Sequence, residues 1–178
     1  MRFWIPIFSL GLAACAQTVP PVSTATSPPP EVQTARNDVE RMVIERFGAP
    51  ALARARGADE FLAALRYPGL PMPDHDTDGH PIKPSFPTAL LFREQGRWYA
   101  YGIDGIHPML PRWSAQLETL LNDPRLWAEP ADGGVLGCTD AGASYVWLRI
   151  QGHPEQARVG HCGGSPLTEQ LVSASFMG

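Results

Sequence analysis

Several features that often reveal a protein's function are scarce or missing in this chain. The apolar run that follows Arg2 is about 10 residues long, whereas a helix needs about 20 to cross a bilayer. Lys83 is the only lysine, and the arginines are spread along the chain rather than clustered. With a formal net charge of −4 and no basic patch, the sequence argues against nucleic acid as a partner.

Catalytic signatures are missing as well. The sequence contains no H-E-x-x-H, G-x-S-x-G or S-x-x-K motif and no glycine loop of the kind that cradles phosphates. No reaction or substrate is therefore predicted. The sequence favours a binding or accessory module, which would recognise an envelope protein or a small ligand, over an enzyme.

The first residues indicate where the protein resides. One positive charge, at Arg2, precedes an apolar run that ends in Leu12-Ala13-Ala14-Cys15. A short apolar run followed by small residues is typical of a signal peptide. The last four residues resemble the lipobox of bacterial lipoproteins. That resemblance implies cleavage after residues 1–14 and a diacylglycerol group on the sulfur of Cys15; an ordinary secretory signal, with Cys15 incidental, is the alternative.

Ala16 follows the candidate lipid anchor. In lipoproteins of this kind a residue other than aspartate at that position resembles the sorting signal for the outer membrane. The membrane is then the expected partner, through the lipid on Cys15. The periplasmic and the cell-surface side of that membrane both stay open.

Removing Cys15 leaves one pair of cysteines, Cys138 and Cys162. An exported chain meets an oxidising compartment, so a disulfide between them is the expected state. Closing a loop of about 25 residues would stabilise the fold by about 3–4 kcal/mol on the chain-entropy model.

The chain divides by composition into a tether and a domain. Residues 16–35 hold five prolines and six serines or threonines but almost no large apolar side chain. Such a segment cannot bury enough surface to order itself. We therefore expect the lipidated cysteine and a disordered tether over 15–35, followed by one α+β domain over 36–178.

Helices are predicted at the start of that domain. Val39, Met42 and Val43 recur at helical spacing between Arg36 and Phe47. A short helix is expected from Pro50 to 56. A third, capped by Asp59, would carry a stripe of Phe61, Leu62 and Leu65.

The rest of the domain repeats a hairpin-then-helix order, in which aromatic and apolar runs flank glycine turns. The natural packing of such units is an antiparallel sheet covered on one side by helices. The fold class is therefore α+β, with N-terminal helices followed by two ββα units. The predicted strands are 88–93 and 97–103, then 144–150 and 156–161, and the helices follow Ser114 and Pro166.

The stretch "PDHDTDGHP" is the one candidate metal loop. Asp74, Asp76, Asp78 and Gly79 match the first half of a calcium-loop pattern, in which alternate carboxylates meet a hard cation. The second half fails, because Ser85 stands where the pattern needs a bidentate glutamate.

Three interpretations of this loop stay open. A looser Ca²⁺ site could be completed by a distant carboxylate such as Asp104 or Glu94, and the protein would then be a calcium-dependent adhesion or structural protein. His75 and His80 suit zinc or copper better. An ordinary solvated loop explains the composition too, because Asp, Gly and Pro dominate exposed turns.

Two further groups have both a functional and a structural interpretation. Asp104 and His107 could form a general-base pair of a hydrolase if their loop folds back. The aromatic side chains could line a ligand groove, but they more often form the packed face of a sheet. These aromatic residues are Trp98, Tyr99, Tyr101 and Trp147.

Overall fold

One antiparallel sheet organises the part of the chain that is described here. The structure is a computed structural model, and it describes residues 27–69, 75, 77–78, 80, 85–134, 142–161 and 164–177. Within these ranges the six strands follow the order β4-β3-β2-β1-β5-β6, with five helices packed on them. This arrangement confirms the α+β fold class. The helices are α1 Pro30–Phe47, α2 Ala49–Gly57, α3 Pro111–Leu121, α4 Pro124–Ala128 and α5 Pro166–Ser175, and the strands are β1 Glu60–Arg66, β2 Thr88–Glu94, β3 Arg97–Gly102, β4 Gly105–Pro108, β5 Ser144–Arg149 and β6 Gln156–Gly160.

Strand β1 is the centre of the sheet, and the helix predicted there is wrong. β1 pairs with β2 along one edge and with β5 along the other, antiparallel in both cases. Phe61, Leu62 and Leu65 are all fully buried, although successive side chains of a strand point to opposite faces. A strand buried on both faces carries no polar alternation, so its apolar residues resemble a helical stripe in the sequence.

Helices cover both faces of the sheet, so the expectation of a single covered face is wrong. Leu62 belongs to an apolar cluster that includes Leu117 of α3 and Leu171 of α5. Its neighbour Phe61 belongs to a second cluster on the other face, which includes Val39 of α1. The sheet is thus the middle layer of three.

Helix α1 begins at Pro30, six residues before the predicted domain boundary at 36. Val32 and Ala35 are buried and extend the apolar stripe of the helix toward its N-terminus. Proline is well suited to the first helical position, and the negative charge of Glu31 in the first turn interacts favourably with the positive end of the helix dipole. Residues 30–35 are therefore helical rather than part of a disordered tether.

Both predicted hairpins are confirmed, as are the helices that follow them and the short helix α2. In β5, Val146 and Leu148 face one apolar cluster while Trp147 faces the other, as the alternation predicts. The prediction missed the four-residue edge strand β4 and the five-residue helix α4.

A buried arginine joins three elements beneath α5. Arg158 of β6 is 2% exposed, and its Nη2 donates to the carbonyls of Leu126 at 2.7 Å and Glu129 at 2.9 Å. The Glu129 carboxylate accepts the backbone N–H groups of Leu167 and Thr168 at the start of α5. Burial lowers the pKa of the Arg158 guanidinium, and the nearby Glu129 opposes that shift. These contacts fix α4 and α5 against β6.

The central position of β1 gives a stability prediction. We expect Leu62→Ala to reduce the free energy of unfolding by about 2–5 kcal/mol, because the side chain is fully buried and leaves a cavity. Leu110→Ala is the matched control, since Leu110 is 54% exposed and should change stability by less than about 0.5 kcal/mol. Urea denaturation measures both. Equal effects of the two substitutions would contradict the placement of β1.

Candidate functional site: a cleft at one end of the sheet

A cleft lies where β1 begins, between the β2–β3 and β5–β6 turns. We call it the turn-end cleft; its volume is about 600 Å³. Gly96 and Gly152, one in each turn, have φ of 77° and 84°, which glycine adopts without strain. The lining residues are Asp59, Glu60, Arg93, Gly96, Arg149, Ile150, Gln151, Gly152 and His153.

A buried ion pair forms one wall of the turn-end cleft. Glu60 is 5% exposed, and its Oε2 accepts from Arg93 Nη1 at 3.0 Å. Its Oε1 accepts from the backbone N–H of Gln151 at 2.9 Å. Arg93 Nη2 also lies 3.3 Å from Glu118 Oε1 of α3. Arg93 thus bridges two carboxylates, and these contacts tie β1, β2, α3 and the β5–β6 turn together.

Arg149 supplies a second guanidinium with different surroundings. Its Nη2 donates to the carbonyls of Arg56 and Ala58, both at 2.7 Å, and so caps the C-terminal end of α2. The guanidinium carbon lies 5.5 Å from the centre of the Phe61 ring. Among the described residues no carboxylate lies within 4.0 Å of this guanidinium. The Arg149 guanidinium is thus held by backbone carbonyls and has no acidic partner among the described residues.

Asp59 supplies an exposed carboxylate at the mouth of the turn-end cleft. Its Oδ2 accepts from the backbone N–H of Gln95 at 3.2 Å, which links the start of β1 to the β2–β3 turn. On the far side, the His153 ring stacks on Trp127 with centroids 3.7 Å apart and planes 9° from parallel. The cleft is therefore lined by both carboxylates and guanidiniums.

The sequence did not identify this cleft. Asp59, Arg93 and Arg149 lie far apart along the chain, and only the pairing of β1 with β2 and β5 brings them to one place. The sequence offers one weak indication of the cleft, which is that each of these three charged residues lies at the end of an apolar segment, next to a turn.

The Asp104–His107 pair forms, but away from the cleft. His107 Nε2, on β4, donates at 2.8 Å to Oδ1 of Asp104 in the β3–β4 turn, at the opposite end of the sheet. The two side chains are 53% and 74% exposed, respectively. The hydrogen bond from His107 lowers the pKa of Asp104. Such exposure counts against a water-excluding catalytic site at this pair.

The calcium hypothesis stays a prediction, because Asp74 and Asp76 lie outside the described residues, although Asp78 lies within them. In the described ranges no three His, Cys, Asp or Glu side chains converge as metal ligands. Both suggested completing carboxylates are already engaged, since Glu94 lies 3.4 Å from Arg54 and Asp104 lies 2.8 Å from His107.

The predicted disulfide also involves residues outside the described ranges, Cys138 and Cys162. The disulfide therefore stays a prediction. Ser144, six positions after Cys138, pairs with Gly160, two positions before Cys162. The chain therefore enters β5 and leaves β6 at neighbouring points of the sheet.

Most of the aromatic side chains pack against the sheet, although Tyr101 also lines a cavity of about 220 Å³ beside Phe47. Trp98 and Trp147 are almost completely buried on opposite faces of the sheet. Tyr99 stacks on Phe92, with ring centroids 5.4 Å apart, and Tyr101 packs near the same ring. The packing interpretation is therefore confirmed for Trp98, Tyr99 and Trp147.

Comparison with known proteins leaves the function to be argued from this chain alone. No protein family, curated protein or solved structure matches it. Over the described ranges, none of the helices combines the length and the apolar character that a bilayer crossing requires.

The exposed Asp104–His107 pair gives a prediction about the pKa of Asp104. We expect His107→Ala to raise the pKa of Asp104 toward the ordinary aspartate value, because the mutation removes the hydrogen bond that favours the carboxylate. NMR titration of the carboxyl carbons measures this. Asp123 is an internal control, since its pKa is lowered by Arg125 and should not change.

The sign of the pH dependence follows from the lowered value. A depressed carboxyl pKa in the folded state favours folding above the unfolded-state pKa, and that contribution disappears as the pH falls through the folded-state value. His107→Ala should remove it. An Asp104 titration unchanged by the mutation would contradict the pairing.

The cysteine pair gives a second prediction. Replacing Cys138 and Cys162 together by serine should reduce the free energy of unfolding by about 3–4 kcal/mol, because the unfolded chain regains its loop entropy. Urea denaturation with and without a reductant provides the comparison. Reductant should destabilise the unsubstituted protein and leave the double variant unchanged. Two free thiols at these positions in the oxidised, denatured protein would rule out the disulfide.

Proposed function

We propose that this protein is a cell-envelope lipoprotein whose α+β domain is a ligand-binding or accessory module, held at the outer membrane by an acylated Cys15. The observation that carries the binding role is the turn-end cleft. Its charged groups are held in place by contacts with the backbone and with each other.

Preorganisation is the physical reason why such a cleft suits recognition. Arg149 is held by two carbonyls, Glu60 by Arg93 and a backbone N–H, and Asp59 by the N–H of Gln95. Polar groups that are already fixed lose little conformational entropy when a ligand binds. The described lining contains no Ser, Thr, Cys or Lys side chain, so the geometry favours binding over catalysis by a hydroxyl, thiol or amine nucleophile.

The position of α1 limits how far the domain can extend from its anchor. Because α1 begins at Pro30, residues 16–29 separate the helix from Cys15. A polyproline-like chain advances about 3.1 Å per residue, so these residues can span at most about 43 Å. An acylated Cys15 would thus keep the turn-end cleft close to the membrane surface, where envelope components are concentrated.

Lipid attachment is the directly testable part of the proposal. We expect the full chain, expressed in a bacterium fed an alkyne fatty acid, to take up the label, and Cys15→Ala to lose it, because the sulfur carries the acyl group. Gel fluorescence after coupling to a dye measures the label. Cys162→Ala is the matched control, because it removes another cysteine and should stay labelled.

Two results would contradict the proposal. An unsubstituted chain without label would show that Cys15 is not acylated. Equal labelling of Cys15→Ala and the unsubstituted chain would place the acyl group elsewhere.

A further inference from the structure

Two opposite charges in the turn-end cleft have no ionic partner among the described residues. The Asp59 carboxylate and the Arg149 guanidinium line the same cleft but lie more than 4.0 Å from each other and from every other oppositely charged group described. The remaining two charges, Glu60 and Arg93, neutralise each other at 3.0 Å. One cation and one anion are therefore left for a ligand.

Arg149 retains hydrogen-bonding capacity after its structural contacts are made. A guanidinium has five N–H donors, two of them on Nη2. The two short contacts of Nη2 to Arg56 and Ala58 use that nitrogen, and within the described residues Nε and Nη1 make no hydrogen bond. Charge-assisted hydrogen bonds to a carboxylate are the strongest contacts that these donors can form.

Asp59 is complementary to this arrangement. One of its oxygens holds the Gln95 N–H, and no cationic side chain of the described ranges pairs with it. An ammonium group is a compact cation with three donors, and an exposed carboxylate can accept from it without rearrangement.

We propose that the turn-end cleft binds a small zwitterion, an amino acid or short peptide with free ends, with its carboxylate on Arg149 and its ammonium on Asp59. This inference rests on the proposed binding function and names the class of ligand. The two unpaired charges of the cleft support it: a ligand of a single sign would be attracted by either Arg149 or Asp59 and repelled by the other. A volume of about 600 Å³ leaves room for more than a single residue.

Isothermal titration calorimetry of the full chain in detergent tests the proposal with the alanine series from one to three residues. We expect at least one member to bind, and its length will report the separation of the two charges. N-acetylation of that peptide, or amidation of its C-terminus, should weaken binding at least about tenfold, because each removes one charge-assisted contact.

Substitutions then assign each charge to its residue. Asp59→Asn keeps an oxygen for the Gln95 N–H but removes the negative charge. It should therefore weaken binding of the free peptide at least about tenfold and leave binding of the N-acetyl peptide unaffected. Arg149→Gln should likewise weaken binding of the free peptide at least about tenfold and leave binding of the C-terminally amidated peptide unaffected. The matched controls are Asp132→Asn, an exposed aspartate that also accepts a backbone N–H, and Arg112→Gln on α3; both should bind like the unsubstituted chain.

The outcomes separate this inference from the wider proposal. The zwitterion site is overturned if none of the three alanine probes gives a heat of binding at concentrations up to about 10 mM. Equal binding of free and capped peptides would overturn it too. Because Arg149→Gln also removes contacts to α2, Asp59→Asn decides the matter if the arginine variant fails to fold. Fatty-acid labelling of Cys15 is measured independently, so either proposal can fail alone.

Discussion

Strand β1 hydrogen-bonds to a neighbour along each edge and packs against helices on each face, and the architecture follows from that double burial. Because no side chain between Phe61 and Leu65 can reach water, both faces of the sheet must be covered. Helices α1 and α2 cover one face, and α3, α4 and α5 cover the other. A sheet with one wet face would leave half of β1 exposed.

The same burial determines where the polar chemistry can lie. In β1 and its two neighbours, β2 and β5, the charged residues lie only at the strand ends. At the start of β1, Glu60 is covered and needs the guanidinium of Arg93 and the N–H of Gln151, since an unpaired buried carboxylate would be strongly destabilising. Asp59, one residue earlier, and Arg149, on the adjacent strand, line the same opening. The turn-end cleft is thus a consequence of how the central strand begins.

Part of this fold could be predicted from the sequence. Both hairpins were predictable because aromatic and β-branched runs flank glycine turns, and α5 because Pro166 precedes a helical stripe. β1 was not, since Ala and Leu are good helix formers and a fully buried strand lacks the period of two. The start of α1 was hidden by the prolines beside it, which suggest a disordered chain. The cleft was beyond sequence reasoning, because its charged residues meet only through strand register.

The proposed lipid attachment and the proposed binding site rest on different parts of the chain. The geometry supports a binding site, and the first fifteen residues predict the membrane that keeps it in the envelope. Intact mass spectrometry of the protein purified from its own cells tests that link most directly. The account predicts a chain that begins at Cys15 and carries the added mass of acyl groups. A chain that retains Met1, or that begins elsewhere with no hydrocarbon added, would contradict it.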